Sequence, residues 1–129
     1  MNCVRLLCSK KDNFILLGQE CNTFSNKPTG LEPRHKTIFN TDNPRAYIHH
    51  HERLNTWECS DLGDRDLCAA VWLTGSNNPL YKQIMFISMY WESRERNLNP
   101  NLIKVAKYCQ KRNIPILMGS DTNLSLIHI

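Results

Sequence analysis

The sequence predicts an α/β fold, and three observations carry that reading. Short apolar runs separated by turn residues recur through the first 91 residues. A well-capped amphipathic helix follows over Asn99–Arg112. A last apolar run, Ile114–Met118, comes directly after it. Strands in series, then helix, then strand, place a helix against a sheet face. The 129 residues suffice for a small domain with its own core. Hydrophobic residues at 41% and charged residues at 22% exclude a disordered chain.

Taken in order, Met1–Asp12 is hard to place; Cys3–Cys8 reads as a short strand and Ser9–Asn13 as a polar turn. Asn13–Glu20 is an apolar strand that ends in Gln-Glu. Cys21–Arg34, rich in Asn, Ser, Lys, Pro and Gly, reads as a long loop. His35–Phe39 is a short strand, and Asn-Thr-Asp-Asn-Pro over 40–44 is a turn. Arg45–His51 alternates as a strand, with Ala46, Ile48 and His50 on one face and Tyr47, His49 and His51 on the other. Leu54–Cys59 is a further strand, with Trp57 as its anchor.

Leu67–Leu73 is apolar on both faces, and so is the interior of Leu80–Trp91, the longest strand candidate. The loop Thr-Gly-Ser-Asn-Asn-Pro between them predicts an antiparallel pair of 67–73 with 83–90. In the helix, Asn99 is the N-cap and Pro100 occupies the first helical position, where its missing N–H costs nothing. Leu102, Val105, Ala106 and Cys109 follow helical spacing and are expected to face the sheet. Lys111 and Arg112 suit the negative end of the helix dipole, Asn113 closes the helix, and Pro115 forbids its continuation.

Composition also excludes some classes. No apolar run approaches the roughly 18 residues of a membrane-spanning helix. The run Leu6-Leu7-Cys8 falls short of the roughly 7–15 residues of a secretory signal core. The expectation is an intracellular protein with no membrane partner. The cysteines are Cys3, Cys8, Cys21, Cys59, Cys68 and Cys109. They form no Cys-x-x-Cys pair, so reduced thiols are expected, with Cys68 and Cys109 as small core residues. Residues 1–58 and residues 59–129 each carry 8 Lys/Arg against 6 Asp/Glu, so there is no basic arm or tail. That balance permits nucleic-acid binding without arguing for it.

The chemistry gathers where apolar strands end. In Ile114–Asn123, Gly119 is expected to free the backbone to turn, and Asp121 and Asn123, two apart, point the same way if the chain stays extended. Gly-Ser-Asp-Thr-Asn also has the composition of a plain turn. Glu20 ends a second buried strand, where a carboxylate needs a partner, and a hard cation held by oxygens is one. Glu20 and Asp121 are expected to converge at one edge of one sheet, with Tyr90 and Asn123 around the same hollow. His49 and His51 share a strand face, which suits zinc or copper. No third ligand lies nearby in sequence, so a half-exposed strand is the expectation there.

The pair of strands ending in Gln-Glu and in Gly-x-Asp-x-Asn resembles the endonuclease/exonuclease/phosphatase superfamily. The likeness is strongest to the endonuclease domain of non-LTR (LINE-type) retrotransposons. Lys27-Pro28-Thr29-Gly30-Leu31, Arg45-Ala46-Tyr47-Ile48, Asp64-Arg65-Asp66-Leu67 and Ser88-Met89-Tyr90 extend it over residues 13–123. The resemblance implies a four-layer α/β sandwich of mainly antiparallel sheets with flanking helices, present here in part and truncated at both ends. It implies a metal-dependent endonuclease that nicks target DNA, with Mg²⁺ (or Mn²⁺) as cofactor. Its partners would be the DNA target site and a parent polyprotein carrying reverse transcriptase, and its location nuclear if the retroelement is active.

By the same resemblance Glu20 is the metal ligand and Gln19 a structural neighbour. Asp121 orients or deprotonates the attacking water. Asn123 holds Asp121 and donates to the phosphate, and Tyr90 reaches the scissile phosphate.

The sequence departs from the family in several places. Trp91-Glu92 replaces the small or proline-containing turn expected after Tyr90. Residues 1–12 offer no match to the first-strand Asn. Residues 124–129, Leu-Ser-Leu-Ile-His-Ile, look like foreign read-through, and His128 is too near Asn123 to be the family's phosphate-binding histidine. The chain on its own is therefore expected to be inactive or nearly so. A sheet short of strands is expected, with the apolar faces of 67–73 and 84–90 partly uncovered. Two other readings stand beside this one. One is a non-catalytic remnant or module that only contacts nucleic acid. The other is a phosphoesterase of the same superfamily acting on a small phosphorylated or lipid substrate.

Overall fold

The computed structural model describes residues 2–7, 14–19, 23–24, 27–28, 31, 33–91, 98–120 and 126–128. The elements run β1 (Asn2–Leu7), β2 (Phe14–Gln19), β3 (Thr23–Phe24), β4 (Lys27–Pro28), β5 (Lys36–Ile38), β6 (Ala46–His50), β7 (Thr56–Glu58), β8 (Leu67–Leu73), β9 (Gln83–Met89), α1 (Pro100–Arg112), β10 (Ile116–Ser120) and β11 (Leu126–His128). The fold is mixed α/β with two main sheets and one helix.

The first sheet has the order β1-β2-β6-β5 and is antiparallel throughout. The second has the order β11-β10-β9-β8-β7. Only β9 and β10 pair parallel in it, and α1 makes the long crossover that a parallel pair requires. The pair β3–β4 forms a small ribbon inside the stretch that reads as a loop in sequence.

The two-residue alternation of a strand explains both cores. Ile15, Leu17, Ala46, Ile48 and Ile38 of the first sheet meet Cys68, Ala70 and Phe86 of the second, so the sheets pack face to face. The residues between these, Leu67, Ala69, Val71, Met85, Ile87 and Met89, point to the other side, where Val105 and Cys109 of α1 cover them with Ile114, Ile116 and Met118. Both faces of β8 and β9 are therefore covered, and this is why their sequences lack polar alternation. Of the faces expected to be partly uncovered, Leu67–Val71 and Met85–Met89 are buried throughout, because the second sheet has five strands with a layer on each side, while Trp72, Leu73, Ile84 and Tyr90 at the strand ends are half-buried.

The helix begins and ends where its caps dictate. The Asn99 side chain accepts from the Asn101 amide at 2.8 Å. Asn113 takes the left-handed conformation at φ 55°. The amides of Asn113 and Ile114 then return to the carbonyls of Gln110 and Cys109, closing the last turn. Val105 and Cys109 are buried and Leu102 partly so, but Ala106 is exposed, and Tyr108 packs against the core in its place.

Other expectations need correction. Trp57 does not anchor its strand: β7 lies at a sheet edge and the indole is 70% exposed. Gly119 does not turn the chain, because β10 continues through it to Ser120, with Gly119 paired to Ser88. The histidine-bearing strand β6 is not half-exposed; every residue in it is buried. Residues 126–128 pair antiparallel with β10. At Gly18 a side chain is impossible without rearrangement, since a Cβ there would enter the ring of its cross-strand partner Tyr47. Among the described residues, no helix is long and apolar enough to cross a membrane.

Candidate functional site

Five strand termini meet at one end of the two facing sheets. The end of β2 pairs with the start of β6 through Gln19 and Ala46. The end of β9 pairs with the start of β8 through Met89 and Leu67, and with the end of β10 through Met89 and Ser120. Hydrogen bonds between the sheets hold these termini together. Gln19 Nε2 donates to Ser88 Oγ at 2.8 Å and to Gly119 O at 3.3 Å, as well as to Leu17 O of its own strand at 3.2 Å. The Ser88 hydroxyl in turn donates to Gly18 O at 2.7 Å.

The orientation of the Gln19 amide follows from its neighbours. Two carbonyl oxygens and a hydroxyl already committed as a donor face one end of the amide, so that end is nitrogen. Gln19 Oε1 is then left buried without a hydrogen-bond partner among the described residues. A buried acceptor in that state costs about 1–3 kcal/mol. Neighbouring inward positions of β2, Ile15 and Leu17, are apolar.

A second group closes the same end. Arg45, just before β6, makes a two-pronged pair with Asp66, just before β8, at 2.6 Å and 2.8 Å. The Arg45 guanidinium also lies 4.5 Å from the centroid of the Tyr90 ring. The Tyr90 amide donates to Asp66 O at 2.7 Å. Asp64 then ties this corner to the start of α1, accepting from Asn101 Nδ2 at 2.7 Å and from the Asp66 amide at 2.7 Å. A carboxylate at a helix N-terminus is favourably placed against the dipole.

Of the sequence-predicted site residues, Tyr90 is described and half-buried at this end. Glu20, Asp121 and Asn123 lie outside the described residues. The strands that lead into them are described. Glu20 follows Gln19 directly, and Asp121 follows Ser120, the last residue of β10. The expectation that these two strands share one sheet is corrected: β2 and β10 belong to the two facing sheets. Their ends are adjacent through the Gln19–Gly119 bond instead. Sequence reasoning missed the roles of Arg45, Asp66 and Ser88, although it singled out the segments that hold them. Nothing local marks Ser88 as the partner of a residue 69 positions away.

The histidines are held by ordinary side-chain and backbone partners. His50 Nδ1 lies 2.7 Å from His51 O and must donate to it, so Nε2 is the acceptor for the Thr56 hydroxyl at 2.9 Å. Burial lowers the pKa of His50 and keeps the ring neutral, and the charges of Lys36, His35 and His51 act in the same direction. His49 Nδ1 pairs with the Thr37 hydroxyl at 2.8 Å. The rings of His35 and His51 lie 4.7 Å apart beside Phe14. Among the described residues there is no group of three or more His, Cys, Asp or Glu able to hold a metal. The thiols of Cys59, Cys68 and Cys109 are free, and burial raises the pKa of each, that of Cys109 to about 11. Such thiols are poor nucleophiles.

No protein-family model, no curated protein and no solved structure matches this chain.

Proposed function

We propose that this chain is part of a metal-dependent endonuclease of the endonuclease/exonuclease/phosphatase type, one that hydrolyses DNA phosphodiester bonds. The fold would be part of a four-layer sandwich, of which two sheets and one helix layer are described. One observation carries the reading. The ends of β2, β9 and β10 are fastened together by Gln19 and Ser88, and the residues that follow them are Glu20, Tyr90 and Asp121.

The donor set suits a hard divalent cation. Glu20 and Asp121 would offer carboxylate oxygens, and the adjoining Gln19 and Ser88 carry amide and hydroxyl oxygens. Glu20 would hold Mg²⁺, with Mn²⁺ as a substitute. The bound ion would neutralise charge on the phosphate. Asp121 would take a proton from the attacking water as its oxygen bonds to phosphorus and the bond to the leaving oxygen breaks. Asn123 would hold Asp121 and donate to a phosphate oxygen, and Tyr90 would donate to another. Arg45 would fix Tyr90 by lying on its ring.

The chemistry is largely positioning and charge neutralisation, so each missing donor matters by about 10²–10³ in rate. The resemblance assigns no residue here to the family's phosphate-binding His–Asp pair, and Asn2, which opens β1 opposite Gln19, is not given the role of its first-strand Asn. The chain by itself is therefore expected to bind the ion weakly and to cut poorly. DNA, and a parent polyprotein with reverse transcriptase, are the proposed partners. Supercoiled plasmid incubated with the chain and Mg²⁺ should show little or no nicking. Mn²⁺ titration, followed by the free-ion electron-spin signal, should show binding that Glu20→Gln removes. Unchanged binding in Glu20→Gln overturns the site. Robust nicking that Asp121→Asn abolishes would show that the missing groups are dispensable.

A further inference from the structure

We infer that this chain associates with a second copy of itself, the exposed indole of Trp57 on one copy entering the apolar groove beside α1 on the next. The inference does not rest on a metal site. The groove lies where β9 and β10 begin, at the opposite end of those strands from the converging termini.

Both surfaces are built into the fold. The groove, of about 660 Å³, runs between the C-terminal half of α1 and the single helical turn Pro79–Tyr81. Its walls are mainly apolar, with Leu80, Tyr81, Ala106, Ile114, Pro115 and Ile116 among them. Leu80 is 66% and Tyr81 46% exposed, so large apolar side chains face solvent here. A hollow that shares Leu80, Asn113 and Ile114 with the groove extends it to Lys82 and Arg112. The matching surface is the edge strand β7, where Trp57 is 70% exposed. Its neighbours in one hollow include Asp61, Leu62 and Tyr108.

The charges separate in the same way. Residues 54–64, around Trp57, carry Glu58, Asp61 and Asp64 and no Lys or Arg. Asp64 is committed to Asn101, whereas Glu58 and Asp61 are exposed beside the indole. Residues 67–91 and 98–120, which build the groove, carry Lys82, Lys104, Lys107, Lys111 and Arg112 and no Asp or Glu. An anionic rim around an apolar anchor thus meets a cationic rim around an apolar groove. Burial of an indole supplies affinity. Opposite rim charges select the partner and reject like-charged pairings. Nucleic-acid phosphates would use the cations but not the apolar walls, which favours a protein surface. The two patches differ, so the contact closes into a dimer where both copies exchange Trp57 and otherwise extends head to tail.

Sedimentation velocity of the full chain at rising concentration, with EDTA present, reads the association. The expected result is a shift from monomer to dimer or larger species. Trp57→Ser removes the anchor, and Ala106→Glu puts bulk and a carboxylate on the groove wall. Each is expected to weaken association at least about tenfold. Lys82→Glu with Arg112→Glu should weaken it comparably, and so should Glu58→Lys with Asp61→Lys. The chain carrying all four charge reversals should associate again, because both rims are reversed together. Lys36→Glu, an exposed change on the first sheet, should leave association unchanged. Circular dichroism checks that each variant is folded. If the fourfold variant does not fold, a mixture of the two charge-reversed pairs decides, since only the mixture restores opposite rims.

A chain that stays monomeric at every concentration overturns the inference, and one that does so while binding a short DNA duplex through Lys82 and Arg112 gives the groove to nucleic acid. Association that Trp57→Ser and Ala106→Glu leave at wild-type strength also overturns it. So does the absence of restored association in the fourfold variant or the mixture.

Discussion

The two layers that flank the second sheet are built from alternate residues of the same strands, yet they differ in kind. The layer under α1 is apolar through its core: Leu67, Ala69, Val71, Met85, Ile87 and Met89 pack against Val105 and Cys109, and the buried polar residue on the same face of β10 is Ser120 at its end. The layer between the sheets is apolar only in its middle. At the end where the strand termini meet it contains Gln19 and Ser88, both buried and bonded across the gap. A uniform apolar layer can be filled by many combinations of side chains of suitable volume. A bonded polar pair tolerates far fewer, because removing either member leaves the other desolvated. The contrast separates a layer held by apolar packing from one held in part by specific bonds across the sheets.

The largest effect that would test this contrast lies in the helix layer. Val105 is fully buried, and Val105→Asp should destabilise the protein by about 3 kcal/mol or more, since the carboxylate has no partner there. Ala106, one residue along and exposed, should accept Asp within about 0.5 kcal/mol. Chemical denaturation of the two variants checks this, and equal losses would mean the helix face is misassigned.

Neighbouring residues on β9 sharpen the comparison. Ile87 faces the helix and Ser88 faces the other sheet. Ile87→Val removes one methyl group and should cost about 0.5–1.5 kcal/mol. Ser88→Ala removes only an oxygen but strips Gln19 and Gly18 O of a partner, so about 1–3 kcal/mol is expected. If Ser88→Ala proves neutral in denaturant midpoint, the inter-sheet pair does not behave as a bonded unit.

Much of the helix layer was legible in the sequence, for local reasons. Asn99 and Pro100 mark the helix start, Asn113 and Pro115 its end, and the double-sided apolar runs mark β8 and β9 as interior strands. What sequence could not supply was pairing at a distance. Placing β2 and β10 in separate sheets depends on contacts far apart in the chain, and so does the Gln19–Ser88 bond. Trp57 looked like a core anchor because its type is usually buried, but an edge strand leaves one side to solvent. The histidines of β6 read as half-exposed because imidazole is polar, whereas Thr37 bonds His49 Nδ1, and Thr56 and the His51 carbonyl bond both nitrogens of His50 inside.

His50 makes the first sheet acid-sensitive. His50 is neutral when folded, with its pKa lowered from the usual 6.5 chiefly by burial. As pH falls through that usual value the unfolded chain takes up a proton and the folded chain does not. The stability is thus present above pH 6.5 and is lost on acidification down to the folded pKa. The slope from this residue is at most about 1.4 kcal/mol per pH unit. Melting midpoints between pH 7.5 and 5.5 should therefore fall less steeply, by roughly that slope at most, in His50→Gln than in the wild type. Parallel curves would exclude His50 as the source.

A small stability change is expected at the corner that holds Tyr90. The Arg45–Asp66 pair has good two-pronged geometry, but both side chains are 31% exposed. Solvent screens such a pair, and a contribution below about 1 kcal/mol is the expectation for Asp66→Ala. The local effect should be larger than the global one, because Arg45 has its guanidinium over the Tyr90 ring as well as on Asp66. Losing the carboxylate frees the guanidinium to leave the ring, while the Tyr90 amide keeps its bond to the residue 66 carbonyl. Amide and ring resonances around Tyr90 should therefore shift in Asp66→Ala while the melting midpoint barely moves. A large drop in midpoint would place this pair among the supports of the fold, and unshifted Tyr90 resonances would show that Arg45 holds the ring without help from Asp66.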